Sequence, residues 1–194
     1  MSKKKEVVIP EVSLLEAELE RVKYKTRYWS VFRSTVYILV MVAAVAVLVA
    51  TLWLPVLQIY GSSMTPTLGE GEIVVSLKSH EYDYGDVVAF YYNNKILIKR
   101  VIAGPGEWVD IKADGTVYVN GMLKEEPYIS DKSFGDCNVA LPYQVPESRI
   151  FVMGDHRSVS MDSRNSAVGC IAEEQIVGKI VFRVWPLDKF GMIQ

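Results

Sequence analysis

Residues 36–54 read VYILVMVAAVAVLVATLWL, nineteen residues without a charged side chain, a glycine or a proline. A helix of this length, at about 1.5 Å per residue, nearly crosses a bilayer hydrocarbon core of about 30 Å. A buried helix of a soluble core is one alternative, but such helices are usually shorter and keep a polar stripe. A cleavable signal peptide is another, but its apolar region would be shorter and nearer the amino terminus. We therefore predict an uncleaved membrane anchor over residues 34–57.

The charges on the two sides of this anchor are unequal. Residues 1–33 hold eight Lys or Arg and five Glu, whereas no basic residue follows the anchor before Lys78. The positive-inside rule then predicts a cytoplasmic segment 1–33 and an extracytoplasmic domain 58–194. The net charge of −2 implies no basic face, so we expect no nucleic-acid partner.

The cytoplasmic segment has two parts. Residues 1–10 form a basic tail. From Glu11 to about Tyr28, Leu15, Leu19 and Val22 recur at helical spacing, which predicts an amphipathic helix. Two heptads are too few to predict a coiled coil, so we interpret this helix as a structural lead-in to the anchor.

Beyond the anchor, short runs rich in Val, Ile and Tyr alternate with Gly, Asp-Gly and Asn-Gly turn signals. The runs are EIVVSL (72–77), DVVAFYY (86–92), KILIKRVIA (95–103), WVDIK (108–112) and TVYVN (116–120). Asp114-Gly115 between the last two predicts a hairpin with a type I′ turn, which needs positive φ at both central residues. The only later helical pattern is the short Glu173–Ile176. We predict a mainly β domain of antiparallel sheets, connected or forming an open barrel.

The residues available for chemistry exclude several kinds of site. Two histidines, His80 and His156, are too few for a His-rich zinc site, and the H-E-x-x-H pattern is absent. Two cysteines, Cys137 and Cys170, cannot form a four-thiolate site. Both lie on the predicted extracytoplasmic side, where a disulfide is permitted, but the sequence does not establish that they meet. No G-x-S-x-G elbow or P-loop is present, and we expect no metal or other cofactor.

Two polar features remain, and each has an ordinary interpretation. The stretch IYGSSMTPTLGEGE (59–72) places serines just after the anchor, where a polar turn is common. Lys99 alternates with Leu97 and Val101 on a predicted strand, where burial would be costly unless the amine is paired or neutral. Burial lowers a lysine pKa toward the range where the amine accepts a proton. An edge-strand lysine that reaches water is the alternative, so neither feature is decisive alone.

Four motifs taken together, in this order, resemble the conserved boxes of bacterial type I signal peptidases. They are GSSMTPTL (61–68), GDVVAF (85–90), IKRVIAGPGE (98–107) and MGDHRSVSMDSR (153–164). The resemblance implies a membrane-anchored serine endopeptidase that cleaves N-terminal signal peptides from exported preproteins without a cofactor. It implies Ser63 as the nucleophile and Lys99 as the general base, with His156 an ordinary loop residue.

The resemblance also implies supporting roles for other residues. The residues that would orient the lysine and support the site are Ser160, Asp162, Arg164, Asp155 and Arg157. Ser160 would hydrogen-bond Lys99, Asp162 and Arg164 would form a salt-bridged support, and Asp155 and Arg157 would be related scaffold. Backbone N–H groups around Gly61 and Ser63 would form the oxyanion hole. The candidates for a shallow pocket that takes small residues are Ile59, Met64, Leu68 and Ile98.

The implied partners are preproteins that carry signal peptides, the lipid bilayer and, by proximity, the secretion machinery. A peptidase of the same family dedicated to one client is an alternative. A non-catalytic membrane-anchored adaptor is another, and it would not need Ser63 paired with Lys99. A self-cleaving repressor-type protease shares the Ser–Lys chemistry but would be cytosolic and carry a DNA-binding domain.

Overall fold

The computed structural model describes residues 12–79 and 81–193, so the predicted tail 1–10 lies outside the described residues. The chain divides between Val49 and Ala50 into a helical unit and a β-rich unit. Helix α1 spans Val12–Trp53 without interruption, because no glycine or proline occurs within it. The predicted amphipathic helix and the apolar stretch are therefore parts of one helix. It ends before Pro55, which lacks an N–H and restricts the residue that precedes it.

The length of α1 exceeds what a bilayer core requires. At about 1.5 Å per residue, its 42 residues extend for about 63 Å, roughly twice the hydrocarbon thickness. Within the described residues, Val12–Thr51 is the one helical stretch long and apolar enough to cross a membrane by length and composition. The anchor boundaries 34–57 stay a prediction, and the helix ends at Trp53, so the last residues of that range lie outside it.

Two open antiparallel sheets make up the β-rich unit. The strands are β1 (Val56–Gln58), β2 (Ile73–Leu77), β3 (Val87–Tyr92), β4 (Lys95–Ala103), β5 (Trp108–Ile111), β6 (Val117–Val119), β7 (Met122–Leu123), β8 (Tyr143–Gln144), β9 (Arg149–Met153), β10 (Ile171–Ala172), β11 (Ile176–Trp185) and β12 (Gly191–Met192). The larger sheet has the order β1-β2-β11-β3-β4-β9-β10, with β12 added on β11, and the smaller has the order β7-β6-β5-β8. The prediction of a mainly antiparallel β fold is confirmed.

The first five predicted strands match β2 to β6 to within one residue at each end. The predicted hairpin between β5 and β6 is also present, with Ile111 opposite Val117. Its predicted type I′ turn is wrong, because only Gly115 has a positive φ there, and the Gly115 N–H donates to the Lys112 carbonyl to close a longer loop. In the turn between β3 and β4, two consecutive residues, Asn93 and Asn94, have the positive φ that a type I′ turn needs. The short helical pattern at Glu173–Ile176 forms a 3₁₀ turn, Glu173–Gln175.

One edge in the larger sheet matters for the site. Strand β4 pairs with β3 along Lys95–Arg100, but β9 pairs with β4 only from Arg100 to Ala103. The first half of β4 therefore has a neighbouring strand on one side alone. Strand β1, at the end of the sheet, likewise pairs only with β2. These two edges can still accept main-chain hydrogen bonds from an extended peptide.

Candidate active site

Ser63 lies in a closed loop, residues 59–72, which we call the nucleophile loop. Two backbone hydrogen bonds join its ends: the Ile59 N–H donates to the Glu72 carbonyl at 2.8 Å and the Gly71 N–H to the Ile59 carbonyl at 2.9 Å. The side chains of Met64 and Leu68 are buried in a core cluster beneath the loop. These apolar anchors hold the loop on the sheet and leave Ser63 half-buried.

Lys99 extends from β4 to meet this serine. Its Nζ lies 2.7 Å from Ser63 Oγ and donates to the Ile98 carbonyl at 3.1 Å. The residue is only 3% exposed. Burial lowers the pKa of Lys99 to about 8, although the nearby carboxylates of Asp162 and Asp155 oppose the shift. A substantial fraction of a lysine with this pKa is neutral near physiological pH, and the neutral amine can accept a proton from an adjacent hydroxyl.

Ser160 is buried close behind the pair, but its hydroxyl does not make the predicted contact. Ser160 Oγ has no hydrogen-bond partner among the described residues, Lys99 included. The chain at Gly154 packs closely against the segments that carry Ser160 and Ser63. A β-carbon on Gly154 would lie 2.6 Å from both Ser160 Cβ and the Ser63 carbonyl oxygen. Gly154 therefore lets the two serine segments approach each other. Sequence reasoning gave this glycine no role, although it stands in the last of the four motifs.

The predicted pairing of Asp162 with Arg164 is present. Arg164 donates from Nε to Asp162 Oδ1 and from Nη2 to Oδ2, both at 2.8 Å. Both side chains are fully buried. Further hydrogen bonds surround the pair: Gly154 N–H donates to Asp162 Oδ2 at 2.9 Å, and Arg164 donates to the carbonyls of Arg157 and Phe134. With so many partners, the ion pair can rigidify the wall behind Lys99.

Asp155 and Arg157 are both buried, but each belongs to a different ion pair. Asp155 accepts two hydrogen bonds from Arg100, at 2.9 and 2.7 Å. Arg157 pairs with Glu126. Sequence reasoning missed Arg100 and Glu126. A usable signal for Arg100 was its place on a strand predicted to be buried, where a guanidinium needs a carboxylate partner.

His156 contacts the nucleophile loop, but its side chain contacts Thr65 and not the Ser63 hydroxyl. Its backbone N–H donates to the Ser63 carbonyl at 3.1 Å, and its Nδ1 lies 3.1 Å from Thr65 Oγ1. The Thr65 hydroxyl also donates to the Ser62 carbonyl at 2.8 Å. These contacts fit the interpretation of His156 as a loop residue that helps to hold the loop.

An apolar cleft of about 720 Å³ opens beside Ser63 and Lys99, between the β1 segment and the free edge of β4. Of the four predicted pocket residues, Ile59, Met64 and Ile98 line it. The prediction for Leu68 is wrong, because its side chain is fully buried in the core below the loop. The other lining residues are Val56, Leu57, Gln58, Tyr60, Gly61, Lys95, Ile96 and Leu97.

Gly61 and Ser63 both line this cleft. The N–H of Ser63 donates to none of the described residues, and Gly61 adopts a φ of +84°, a conformation that favours glycine.

Cys137 and Cys170 are free thiols, so the permitted disulfide is not formed. Within residues 12–79 and 81–193, no three His, Cys, Asp or Glu side chains are placed to bind a metal ion.

A half-buried serine beside a buried lysine of lowered pKa, on an open β scaffold, is an arrangement in which the lysine amine can act as a base for the serine hydroxyl. The family model described as "Signal peptidase, peptidase S26" matches residues 32–185. The chain therefore belongs to the signal peptidase family, a family of serine endopeptidases.

Two curated relatives, from Staphylococcus aureus and Bacillus subtilis, agree with this membership. Signal peptidase IB of Staphylococcus aureus (strain COL) is 43% identical over a 152-residue alignment that covers 68% of this chain and 78% of the relative. Signal peptidase I T of Bacillus subtilis (strain 168) is 41% identical over 142 residues, covering 66% and 72%. A solved structure of a signal peptidase I from Enterococcus faecalis is 28% identical, with a TM-score of 0.44, and covers 51% of this chain and 96% of that one.

Proposed function

We propose that this protein is a membrane-anchored endopeptidase that cleaves N-terminal signal peptides from exported preproteins, with Ser63 as nucleophile and Lys99 as general base. The observation that carries the proposal is the 2.7 Å distance between Lys99 Nζ and Ser63 Oγ at a lysine whose pKa burial lowers to about 8. Family membership supports the reaction class, and it counts against the adaptor alternative.

The first chemical step is acylation of the serine. Neutral Lys99 accepts the proton of Ser63 Oγ as that oxygen attacks the carbonyl carbon of the residue before the cleavage site. The carbonyl oxygen becomes an oxyanion and accepts a hydrogen bond from the Ser63 N–H, next to the open space around Gly61. Lys99 then returns the proton to the leaving amine, the peptide bond breaks and an acyl-enzyme remains.

The second step is hydrolysis of that ester. Neutral Lys99 takes a proton from a water molecule, whose oxygen attacks the acyl carbon. Collapse of this second tetrahedral intermediate returns the proton to Ser63 Oγ and releases the carboxylate of the signal peptide. Ser160 stays a proposed orienting residue: its buried hydroxyl has no hydrogen-bond partner among the described residues, so it is available to Lys99 if the amine rotates during the cycle.

The cleft suggests how the substrate is held. The unpaired edges of β1 and of Lys95–Lys99 flank it, so an extended peptide can gain main-chain hydrogen bonds from either edge. The apolar side chains of Ile59, Met64 and Ile98 lie at the dyad end and offer a surface for small apolar side chains next to the cleavage site.

The helix supplies the membrane half of the proposal. With residues 1–33 in the cytoplasm and the β-rich domain outside, Ser63 follows Trp53, the end of α1, by ten residues. A preprotein held in the bilayer by its own apolar segment would present its cleavage site near the same surface. Confinement to that surface raises the effective concentration of substrate at the site and brings the enzyme close to the secretion machinery.

The test is cleavage of a model preprotein by the purified full-length protein beside Ser63→Ala. We expect the wild type to release the mature protein at one bond after a small residue, and Ser63→Ala to release none. The matched control is Ser62→Ala, which changes the neighbouring serine and should stay active. Cleavage by Ser63→Ala excludes the assigned nucleophile. A panel of unrelated preproteins distinguishes a general peptidase, which cleaves several, from the single-client alternative, which cleaves one.

A further inference from the structure

A charged pair outside the catalytic motifs is bonded to the nucleophile loop. Arg183, on β11, donates from Nη2 to the Thr67 carbonyl at 2.9 Å and from Nη1 to Glu72 Oε1 at 3.2 Å. Glu72 is the residue whose own carbonyl closes the loop onto Ile59. One guanidinium therefore ties the last long strand of the sheet to both the middle and the end of the loop that carries Ser63.

Thr67 is also held from its other side. Its hydroxyl donates to Asp155 Oδ2 at 2.5 Å, and Arg100 Nη2 donates to the same hydroxyl at 3.2 Å. Between Thr67 and Ser63 the chain is short and ordered, since the Leu68 N–H donates to the Met64 carbonyl at 2.8 Å. Because this segment is short and hydrogen-bonded, a displacement of Thr67 should also displace Ser63, four residues earlier.

The geometry of the pair indicates that the Thr67 carbonyl and the Glu72 carboxylate compete for the N–H donors of Arg183. An arginine and a carboxylate alone favour two parallel hydrogen bonds. Here Glu72 Oε2 and Arg183 Nε are both buried without a partner among the described residues, so the pair uses one carboxylate oxygen only. Lys189 adds a second cation, 3.4 Å from the same Oε1. The guanidinium divides its donors between the Glu72 carboxylate and the Thr67 carbonyl.

We propose that Arg183 and Glu72 are positioning residues that fix the distance of Ser63 from Lys99 by holding the Thr67 carbonyl. The proposal rests on the proposed dyad. Neither residue lines the cleft, so substrate is not their target. A displacement of about 1 Å at reacting groups can cost on the order of 100-fold in rate, which sets the size of the expected effect.

The test compares Arg183→Met with Lys179→Met in the full-length protein. Lys179 lies on the same strand, and its ion pair with Asp86, at 2.6 Å, touches no residue of the nucleophile loop. We expect Arg183→Met to lower kcat on the order of 100-fold with KM changed less than about threefold, and Lys179→Met to stay near wild type. Arg183→Lys, which keeps one donor for Thr67, should recover about tenfold of the loss.

A kcat for Arg183→Met equal to that of Lys179→Met, or no recovery in Arg183→Lys, overturns the proposal. If Arg183→Met does not fold, Arg183→Lys takes its place beside the same control, with a kcat expected about tenfold below wild type, and an unchanged kcat there also overturns the proposal.

Amide hydrogen exchange gives a readout that does not need activity. In Arg183→Met the Thr65 and Leu68 amides, whose acceptors lie inside the loop, should exchange faster, while those of β4 and the same amides in Lys179→Met should not. Unchanged exchange across residues 62–68 overturns the positioning role. An inactive wild type would contradict the proposed function instead, and the exchange result would still decide the role of Arg183.

Discussion

Lys99 Nζ lies 2.7 Å from Ser63 Oγ, and burial lowers the pKa of this lysine to about 8. Only the neutral amine can take the serine proton, so activity must rise as the lysine deprotonates. We expect kcat/KM to increase about tenfold per pH unit below pH 8 and to level off above it. Assays of the full-length protein on a preprotein peptide from pH 6 to pH 10 measure this profile. A rate that is flat from neutral to alkaline pH contradicts a lysine base.

The same burial should make Lys99 costly for stability. Its pKa is lower in the folded state than the ordinary 10.5, so between about pH 8 and 10.5 the unfolded chain binds more protons and stability rises with pH. Below about pH 8, Lys99 is charged in both states, and the folded state carries the full free-energy cost of burying that charge. Lys99→Met should therefore be inactive yet melt on the order of 5 °C higher at pH 7, with the gain shrinking toward pH 10. Circular dichroism melts at the two pH values test this, and a lower melting temperature for the variant at pH 7 contradicts it.

Gly154 is expected to tolerate no side chain. A β-carbon there would lie 2.6 Å from the Ser63 carbonyl oxygen and from Ser160 Cβ, so the nucleophile loop would have to move away. We expect Gly154→Ala to lower kcat on the order of 100-fold and to destabilise the domain by about 1–3 kcal/mol. Gly104→Ala is the control, because the nearest atom to its β-carbon would be 3.7 Å away. Comparable activity in the two variants would show that the close approach is not needed.

Removing Arg164 should affect both stability and the pH profile. Arg164→Met leaves the buried Asp162 without its cation, which typically costs about 3–5 kcal/mol. The positive charge of Arg164 also lowers the pKa of Lys99, so the midpoint of the rate profile should move to higher pH in the variant.

Urea unfolding and the pH series together measure the two effects. Lys112→Met, which breaks an exposed ion pair with Asp110, is the control and should leave the unfolding midpoint close to that of the wild type. A midpoint that falls or stays unchanged in Arg164→Met contradicts the electrostatic role of Arg164.

The predicted orientation can be tested by proteolysis of intact cells. With residues 1–33 inside and 58–194 outside, protease added to the medium should degrade the β-rich domain and spare an epitope attached at the amino terminus. Permeabilised cells should lose both. Loss of the epitope alone from intact cells would reverse the proposed topology.

Much of the fold was accessible from local pattern. The strands β2 to β6 follow runs of Val, Ile and Tyr closed by turn residues, and each boundary depends on only a few neighbouring residues. The apolar helix could be predicted for the same reason, because its length and composition are local properties of the sequence. The hairpin turn at Asp114-Gly115 was predicted incorrectly, because the number of loop residues depends on how the flanking strands pair, and the pairing is not a local property.

The site was accessible only in part. Ser63 and Lys99 were each ambiguous from residue type, and the order of four motifs selected them. The same reasoning treated Asp155 and Arg157 as related scaffold, whereas their partners are Arg100 and Glu126. It also placed Leu68 in the pocket, although that side chain is fully buried.

By itself, the sequence determined a chain with one long apolar helix, a β-rich domain and a nucleophile loop with a candidate serine, because helix length, strand pattern and motif order are properties of neighbouring residues. Only the tertiary structure decided which buried charges meet, how far Lys99 lies from Ser63, and that Arg183 holds Thr67. These contacts join residues distant in the chain. Their distances follow from how the strands pair and which side chains fill the core, and a buried charge accepts whichever partner that packing brings within reach.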